Sequence, residues 1–316
     1  MKILVTGAAG FIGSNLAEKL LKRGDAVVGL DNFNDYYDPA KKRANETRLN
    51  NYPAFRMVEE DIRHRQAMFD LFENEKFDAV AHLAAMAGVR NAVKYPDLYV
   101  EVDLNGSQHL MDAARATGVG NFVQASTSSV YGNTKQIPFV ESDPCDRPLQ
   151  PYAAAKRAAE ILAYTYHYLF QQNITVVRFF TVYGPNGRPD MMAYLVAESA
   201  AKGIEIPLYD NGQMWRDWTY VEDITDGIAA AIDRPLGYEI INLGRGEPTL
   251  LADFVRYIEE LAGNKANVVS KPRLAADFVK NNADISKARR LLGYDPQVSV
   301  QEGVARFWEW YAANCL

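Results

Sequence analysis

Lys2-Ile3-Leu4-Val5-Thr6-Gly7-Ala8-Ala9-Gly10-Phe11-Ile12-Gly13 opens the chain. A short apolar strand runs into three glycines spaced three apart. Ile12, Leu16, Leu20 and Leu21 then fall on one face of a helix that stops at Gly24. A glycine triplet by itself reads equally well as a tight turn. Between a strand and a helix it has a more specific use. Gly7 permits the turn, Gly10 lets an anion approach the backbone, and Gly13 lets the helix sit close to the strand. Unpaired N–H groups at the helix N-terminus, Phe11 and Ile12 among them, then face a pyrophosphate. The next buried strand, Ala26–Leu30, ends at Asp31, with Asn32 beside it. A carboxylate there accepts hydrogen bonds from a ribose diol and repels a 2′-phosphate, which predicts NAD and not NADP.

The same rhythm continues outward. Strand-like runs recur at Ala54–Val58, Ala79–Leu83, Asn121–Ala125 and Thr175–Arg178, separated by helical stretches, of which Pro96–Thr117 and Pro151–Phe170 are long. Continuous apolar strands alternating with helices predict an α/β fold: a Rossmann-type, doubly wound parallel sheet covered on both faces. After about Gly184 the segments shorten and Pro/Gly interruptions multiply, and Glu239–Leu243 reads as one more strand returning to the first sheet. The expected organisation is a dinucleotide-binding domain over residues 1–184 plus the strand near 239–243. An interleaved, smaller mixed α/β substrate lobe covers 185–316. Two strand ends add to the cofactor site: Glu60-Asp61-Ile62, where a carboxylate would meet the adenine amine, and His82-Leu83-Ala84-Ala85, whose small residues leave space. His82 reads as a satisfied structural histidine, since no partner base is visible.

Composition narrows the function. The 316 residues carry 34 Lys and Arg against 40 Asp and Glu, a net charge of −6, with the two signs mixed throughout. No basic block exists to track a phosphate backbone, so nucleic-acid binding is not expected. Two distant cysteines and four scattered histidines offer neither a disulfide framework nor metal-ligand spacing. The first strand begins at residue 2 and no apolar run approaches ~18 residues, so neither a signal peptide nor a membrane span is expected. The expectation is a soluble, cytoplasmic protein.

Tyr152-Ala153-Ala154-Ala155-Lys156 starts a long helix after Pro151. Residues four apart share a helix face, so phenol and ammonium converge. A free tyrosine, with a pKa near ~10, is a poor base at neutral pH; a neighbouring ammonium favours its phenolate, which then accepts a hydroxyl proton. The spacing alone is common by chance. Gln124-Ala125-Ser126-Thr127-Ser128-Ser129-Val130-Tyr131-Gly132 gives it company, delivering four consecutive hydroxyls to the carboxyl edge of a strand, where open α/β sheets bind ligands.

The glycine triplet, Asp31, the hydroxyl loop and the Tyr–Lys pair together resemble the extended short-chain dehydrogenase/reductases that act on nucleotide-diphospho sugars. The resemblance runs over essentially the whole chain. It implies that Thr127, Tyr152 and Lys156 form the catalytic group, and that Asn105, in Asp103-Leu104-Asn105-Gly106, is the helix asparagine beside the active site. Dehydratases of that family resemble Thr-Asp-Glu in the hydroxyl loop and uronate decarboxylases Thr-Ser-Glu. Thr127-Ser128-Ser129 has no carboxylate, which favours a 4-epimerase returning the same hydride to the opposite face.

Further segments resemble the UDP-glucuronate 4-epimerases: Asp31 to Pro39, Met86-Ala87-Gly88-Val89-Arg90, and Tyr183 to Met191. The resemblance implies that Arg188 faces the sugar carboxylate, aided by Arg90 and the hydroxyls of Ser128 and Ser129. A guanidinium suits that role because it binds carboxylates bidentately and keeps its charge. It also implies that Arg216, between Trp215 and Trp218, contacts the diphosphate. Asp277 contacts the nucleotide ribose, although Ala276 and Phe278 beside it depart from the family's Gly-Asp-Val. Thr181 stands where galactose epimerases have Asn, which argues against a neutral hexose. The family also implies a homodimer through the two long helices. A decarboxylase, a neutral-hexose 4-epimerase and a catalytically silent dinucleotide sensor remain the alternatives.

Overall fold

The computed structural model describes residues 1–273 and 279–316, apart from the side chains of residues 89 and 90. Asp277 lies outside the described residues. Seven strands, β1 (Lys2–Thr6), β2 (Ala26–Asp31), β3 (Phe55–Glu59), β4 (Ala79–His82), β5 (Asn121–Thr127), β6 (Ile174–Phe179) and β7 (Tyr238–Leu243), form one sheet in the order β7-β6-β5-β4-β1-β2-β3. Every pairing in it is parallel. The chain winds one way from β1 through β3 and the other way from β4 onward. The connections therefore diverge between β1 and β4 and leave a crevice at the carboxyl ends of those strands.

Helices cover both faces. α1 (Phe11–Arg23) buries Leu16, Leu20 and Leu21, the stripe legible in the sequence, and ends at Gly24 in the left-handed region with φ 96°. α2 (Pro39–Leu49) and α3 (Arg65–Glu75) follow β2 and β3. The long helix expected over Pro96–Thr117 is three joined pieces: a turn at Pro96–Tyr99, a π-helical stretch at Val100–Gly106, and α4 (Ser107–Thr117). α5 (Pro151–Phe170) has the expected limits, with Pro151 in its first turn, where a missing N–H costs nothing.

One core lies on the α1 face of the sheet and includes Val5, Leu16, Val123 and Val177; the other, with Leu4, Phe72, Leu110 and Phe122, lies beneath α3, α4 and α5. A third, aromatic cluster gathers Tyr183, Tyr194, Trp218, Phe254 and Phe307 from the C-terminal half. Trp218 stacks on Phe254 at 3.8 Å between centroids. The lobes interleave more deeply than one returning strand: α6 (Val221–Asp233) and the helix Ser286–Leu292 also bury their apolar residues in the first core. Among the described residues no helix is long and apolar enough to cross a membrane.

Candidate active site

The crevice is one cavity running from the glycine turn to the N-terminus of α5. At one end Gly7 (φ 69°) turns the chain, and a Cβ there would lie 2.9 Å from the backbone nitrogen of Ala84. A Cβ on Gly13 would overlap the carbonyl oxygen of Gly7. The N-terminus of α1 has no side-chain cap, and Gly10, Phe11, Ile12 and Gly13 line the cavity, so the positive end of the helix faces it. Asp31 lines the far side. Its Oδ2 accepts from Ala9 N at 3.2 Å and its Oδ1 from Phe33 N at 2.9 Å, so the same carboxylate braces the glycine turn. Leu83, Ala84, Ala85 and Ile62 complete this end. The cradle fits a dinucleotide: Gly7 and Gly13 pack too closely on backbone to carry a Cβ, and no side chain caps the helix end that faces the cavity.

His82 sits beneath the floor, buried, with Nδ1 2.8 Å from Thr6 Oγ1 and Nε2 2.9 Å from Ser107 Oγ. Thr6 Oγ1 already accepts from Leu83 N and Ala84 N, so its proton points to Nδ1. His82 therefore carries its proton on Nε2 and donates to Ser107, whose hydroxyl donates to the Asp103 carbonyl at 2.6 Å. Burial, with Lys156 nearby, lowers its pKa to about 3 and keeps it neutral.

At the other end Tyr152, Lys156, Ser126 and Thr127 line the cavity. Tyr152 lies by Thr127, whose hydroxyl favours its phenolate, and its ring meets Tyr99 edge-on at 6.0 Å. Lys156 Nζ donates to the Ala125 carbonyl at 3.2 Å and lies 3.8 Å from Asp103 Oδ1. Burial raises the Tyr152 phenol well above its ordinary value and the Asp103 charge adds to that; Thr127 and Arg188 act in the opposite direction. A phenol, an ammonium and a hydroxyl thus converge beside a dinucleotide cradle, an arrangement for moving a proton to and from a substrate alcohol.

Comparison with known proteins agrees with this geometry. The model of the NAD dependent epimerase/dehydratase family matches residues 3–244. The chain belongs to that family. A UDP-glucuronate 4-epimerase of Thermodesulfobacterium geofontis is 43% identical over 98% of this chain and 96% of its own length. Among solved structures, the UDP-glucuronic acid 4-epimerase of Bacillus cereus, in complex with UDP-glucuronic acid and NAD, is similar at TM-score 0.91 with 34% identity, each chain covered to 99%. The UDP-glucose 4-epimerase of Thermotoga maritima with UDP-glucose reaches the same TM-score at 30% identity, over 100% of both chains. An epimerase fold is thus shared by enzymes of a charged and of a neutral sugar, and side chains must separate the two.

Within this epimerase frame the remaining expectations divide. Arg188 lines the cavity; its Nε and Nη2 donate to Asp190 at 2.9 and 2.8 Å, and it lies over the Tyr36 ring. Ser128 and Ser129 do not line it: Ser128 Oγ accepts from Asn281 Nδ2 at 3.3 Å, and Ser129 serves through its backbone N–H, donated to Thr127 Oγ1. Thr181 lines a smaller neighbouring cavity. Arg216 lies apart, donating to the Trp215 carbonyl and to Met214 sulfur. Asp61 is engaged by Asn32 and Arg63. Burial opposes its charge, but those hydrogen bonds outweigh burial and hold it far below the carboxylate range, and its neighbours Glu60 and Ile62 line the cavity instead. Asn32 lines the cavity beside Asp31.

Asn105 requires correction. It is exposed, whereas Asp103 and Ser107 on the same helical stretch are buried toward the site. Sequence reading also missed Tyr36, Tyr37, Met86 and the buried Lys42, whose Nζ is 3.6 Å from Asp31 Oδ1. Tyr36, Tyr37 and Met86 lie in the segments after β2 and β4 quoted above for their resemblance, and Lys42 lies on α2.

Proposed function

We propose that the chain is an NAD-retaining 4-epimerase converting UDP-glucuronate to UDP-galacturonate, with Tyr152, Lys156 and Thr127 as its reacting group. Arg188 is the observation that carries the substrate: a guanidinium with its head on the cavity wall, in the same space as Tyr152. The relatives named above support the reading. The first lobe holds the dinucleotide and the second the UDP-sugar.

Asp31 and the uncapped end of α1 would hold the ribose and pyrophosphate of NAD, which would supply a hydride acceptor and donor for C4. Tyr152, as phenolate, takes the proton of the sugar's 4-hydroxyl, and Lys156 stabilises the negative oxygen. Thr127, on the same cavity wall, orients the same hydroxyl. Tyr152 then gives the proton back after the sugar ring has turned, so no net oxidation results. Arg188 grips the sugar carboxylate at the cavity wall.

The reading includes a homodimer. Ile161, Tyr164 and Tyr168 lie on one face of α5, each at least half exposed, near the exposed Val93 and Val100 of the preceding helical segment. Such an apolar stripe suits a two-fold packing of these helices, checked by light scattering. It also includes a cytoplasmic location, supported by the unpaired Cys145 and Cys315 and checked by cell fractionation.

NMR product analysis on UDP-glucuronate, UDP-glucose and UDP-galactose tests the function. The expected product is the C4 epimer of the uronate, with Tyr152→Phe abolishing turnover. A pentose as the main product, or preference for a neutral hexose, overturns the substrate assignment. Full turnover by Tyr152→Phe overturns the assignment of the base.

A further inference from the structure

Asp103 is fully buried, and only one of its oxygens is well served. Oδ1 accepts from Met86 N at 3.0 Å and lies 3.8 Å from Lys156 Nζ, while Oδ2 has no hydrogen-bond partner among the described residues. A buried carboxylate with an idle oxygen is costly, and an apolar side chain in its place would fill the space without that cost. The carboxylate sits on the π-helical stretch Val100–Gly106, an irregular helical turn of the kind found at functional sites.

We propose that Asp103 is a positioning residue that sets the working basicity of Tyr152, by holding Lys156 and by opposing its charge. The proposal rests on Tyr152 being the base. Lys156, helped by the positive nicotinamide ring when NAD is bound, favours the phenolate; Asp103 disfavours it. A 4-epimerase takes a proton from the sugar oxygen and returns it to the same oxygen. Its base therefore serves best with a pKa near the working pH, and two unopposed positive charges would leave a phenolate too weak to take that proton.

The groups around the pair are accounted for. Lys156 and Tyr152 face Asp103 from α5, and the Met86 N–H from the loop after β4. Tyr99, on the turn before it, hydrogen-bonds the carbonyls of Ala87 and Gly88. Thr127 from β5 and Arg188 from the second lobe act on Tyr152 and lower it. His82 reaches only the main-chain carbonyl of Asp103, through Ser107, and is neutral. Burial raises the Asp103 carboxyl, against the pull of Lys156, to about 6, so at neutral pH it is mostly ionised.

The test is a phenolate absorbance titration of the NAD-bound enzyme, with the Tyr152 signal isolated by subtracting the Tyr152→Phe form of each background. Asp103→Asn keeps an acceptor for Met86 N and removes the charge. It is expected to lower the Tyr152 midpoint by about one pH unit and to move the acid limb of kcat/KM down with it. A merely structural role would reduce kcat and leave the midpoint in place. An unmoved or raised midpoint overturns the proposal, whereas full turnover by Tyr152→Phe removes the premise instead. Should Asp103→Asn not fold, Asp103→Ser carries the same expectation. In the wild type, carboxyl NMR should find Asp103 ionised at neutral pH, and a carboxyl still protonated there also overturns the proposal.

Discussion

Glu160 continues the stripe begun by Tyr152 and Lys156, one turn further along α5, and its fate sets the register of both. It is fully buried. Its carboxylate accepts from Arg178 Nε at 2.9 Å and Nη2 at 2.7 Å, from Ser126 Oγ at 2.5 Å and from Arg157 Nη1 at 3.0 Å. Arg178 on β6 is equally buried; its Nη1 has no hydrogen-bond partner among the described residues and its guanidinium lies 4.8 Å from the centre of the Tyr131 ring. Glu160→Gln keeps the shape, loses the charge, and turns an amide NH₂ toward a guanidinium that accepts nothing. Removing one partner of a buried pair costs about 3–5 kcal/mol, because the other charge stays in low dielectric uncompensated. Replacing both, as Glu160→Leu with Arg178→Met, removes that uncompensated charge and should cost less than either single change. Urea unfolding at constant m reads both quantities. A loss under about 1 kcal/mol for Glu160→Gln, or a double variant less stable than either single, would refute the reasoning. Since Ser126 lines the cavity, the folded fraction of Glu160→Gln should also show reduced kcat.

Two further outcomes follow from the charges in the cavity and under its floor. Arg188→Met should lower kcat/KM for the uronate by about ten- to a hundred-fold, the worth of a charge-assisted contact, and barely change any residual turnover of UDP-glucose, as steady-state assays would show. His82 has its folded pKa depressed from 6.5 to about 3, so between those values the unfolded chain binds a proton that the native state refuses. Stability must fall as pH drops through that window, and His82→Gln should lack that part of the acid dependence in unfolding curves measured across it.

The sheet was legible because each of its strands is a short apolar run flanked by turn residues, and a covered parallel sheet asks for nothing subtler. Gly7, Gly10, Gly13 and Asp31 were legible for the same reason: their roles are local. Asn105 misled because the resemblance carried a role over by residue type, whereas inside the π-helical stretch it is Asp103 that is buried and Asn105 that is exposed. The hydroxyl run misled at its end. β5 gives way after Thr127 to a 3₁₀ turn, which leaves Ser128 on Asn281, far away in sequence. Glu160 and Arg178 were invisible as a pair because nothing in their spacing announces contact between a helix and a strand. The sequence pattern thus reveals elements and the groups at their ends, whereas the charges that tune those groups arrive through tertiary packing.

On the proposed uronate reading, that tuning decides between two products. Oxidation at C4 makes a β-keto acid, which loses carbon dioxide when charge drains from the carboxylate toward the C4 oxygen. Tyr152, as the newly formed phenol, would stabilise the enolate of that route; Arg188 stabilises the carboxylate that the route must give up. Only the difference between those interactions in the transition state matters. Asp190 occupies Nε and Nη2 of Arg188, so the sugar carboxylate meets Nη1 or displaces Asp190, and in both cases its charge rests against a guanidinium. With Ser128 turned away, Arg188 carries this task with Thr127 alone among the expected hydroxyls. Arg188→Met should therefore do more than slow the enzyme: NMR of its products should show a pentose fraction that the wild type lacks. An unchanged product ratio would mean that the orientation of the sugar ring, and not the guanidinium charge, protects the intermediate.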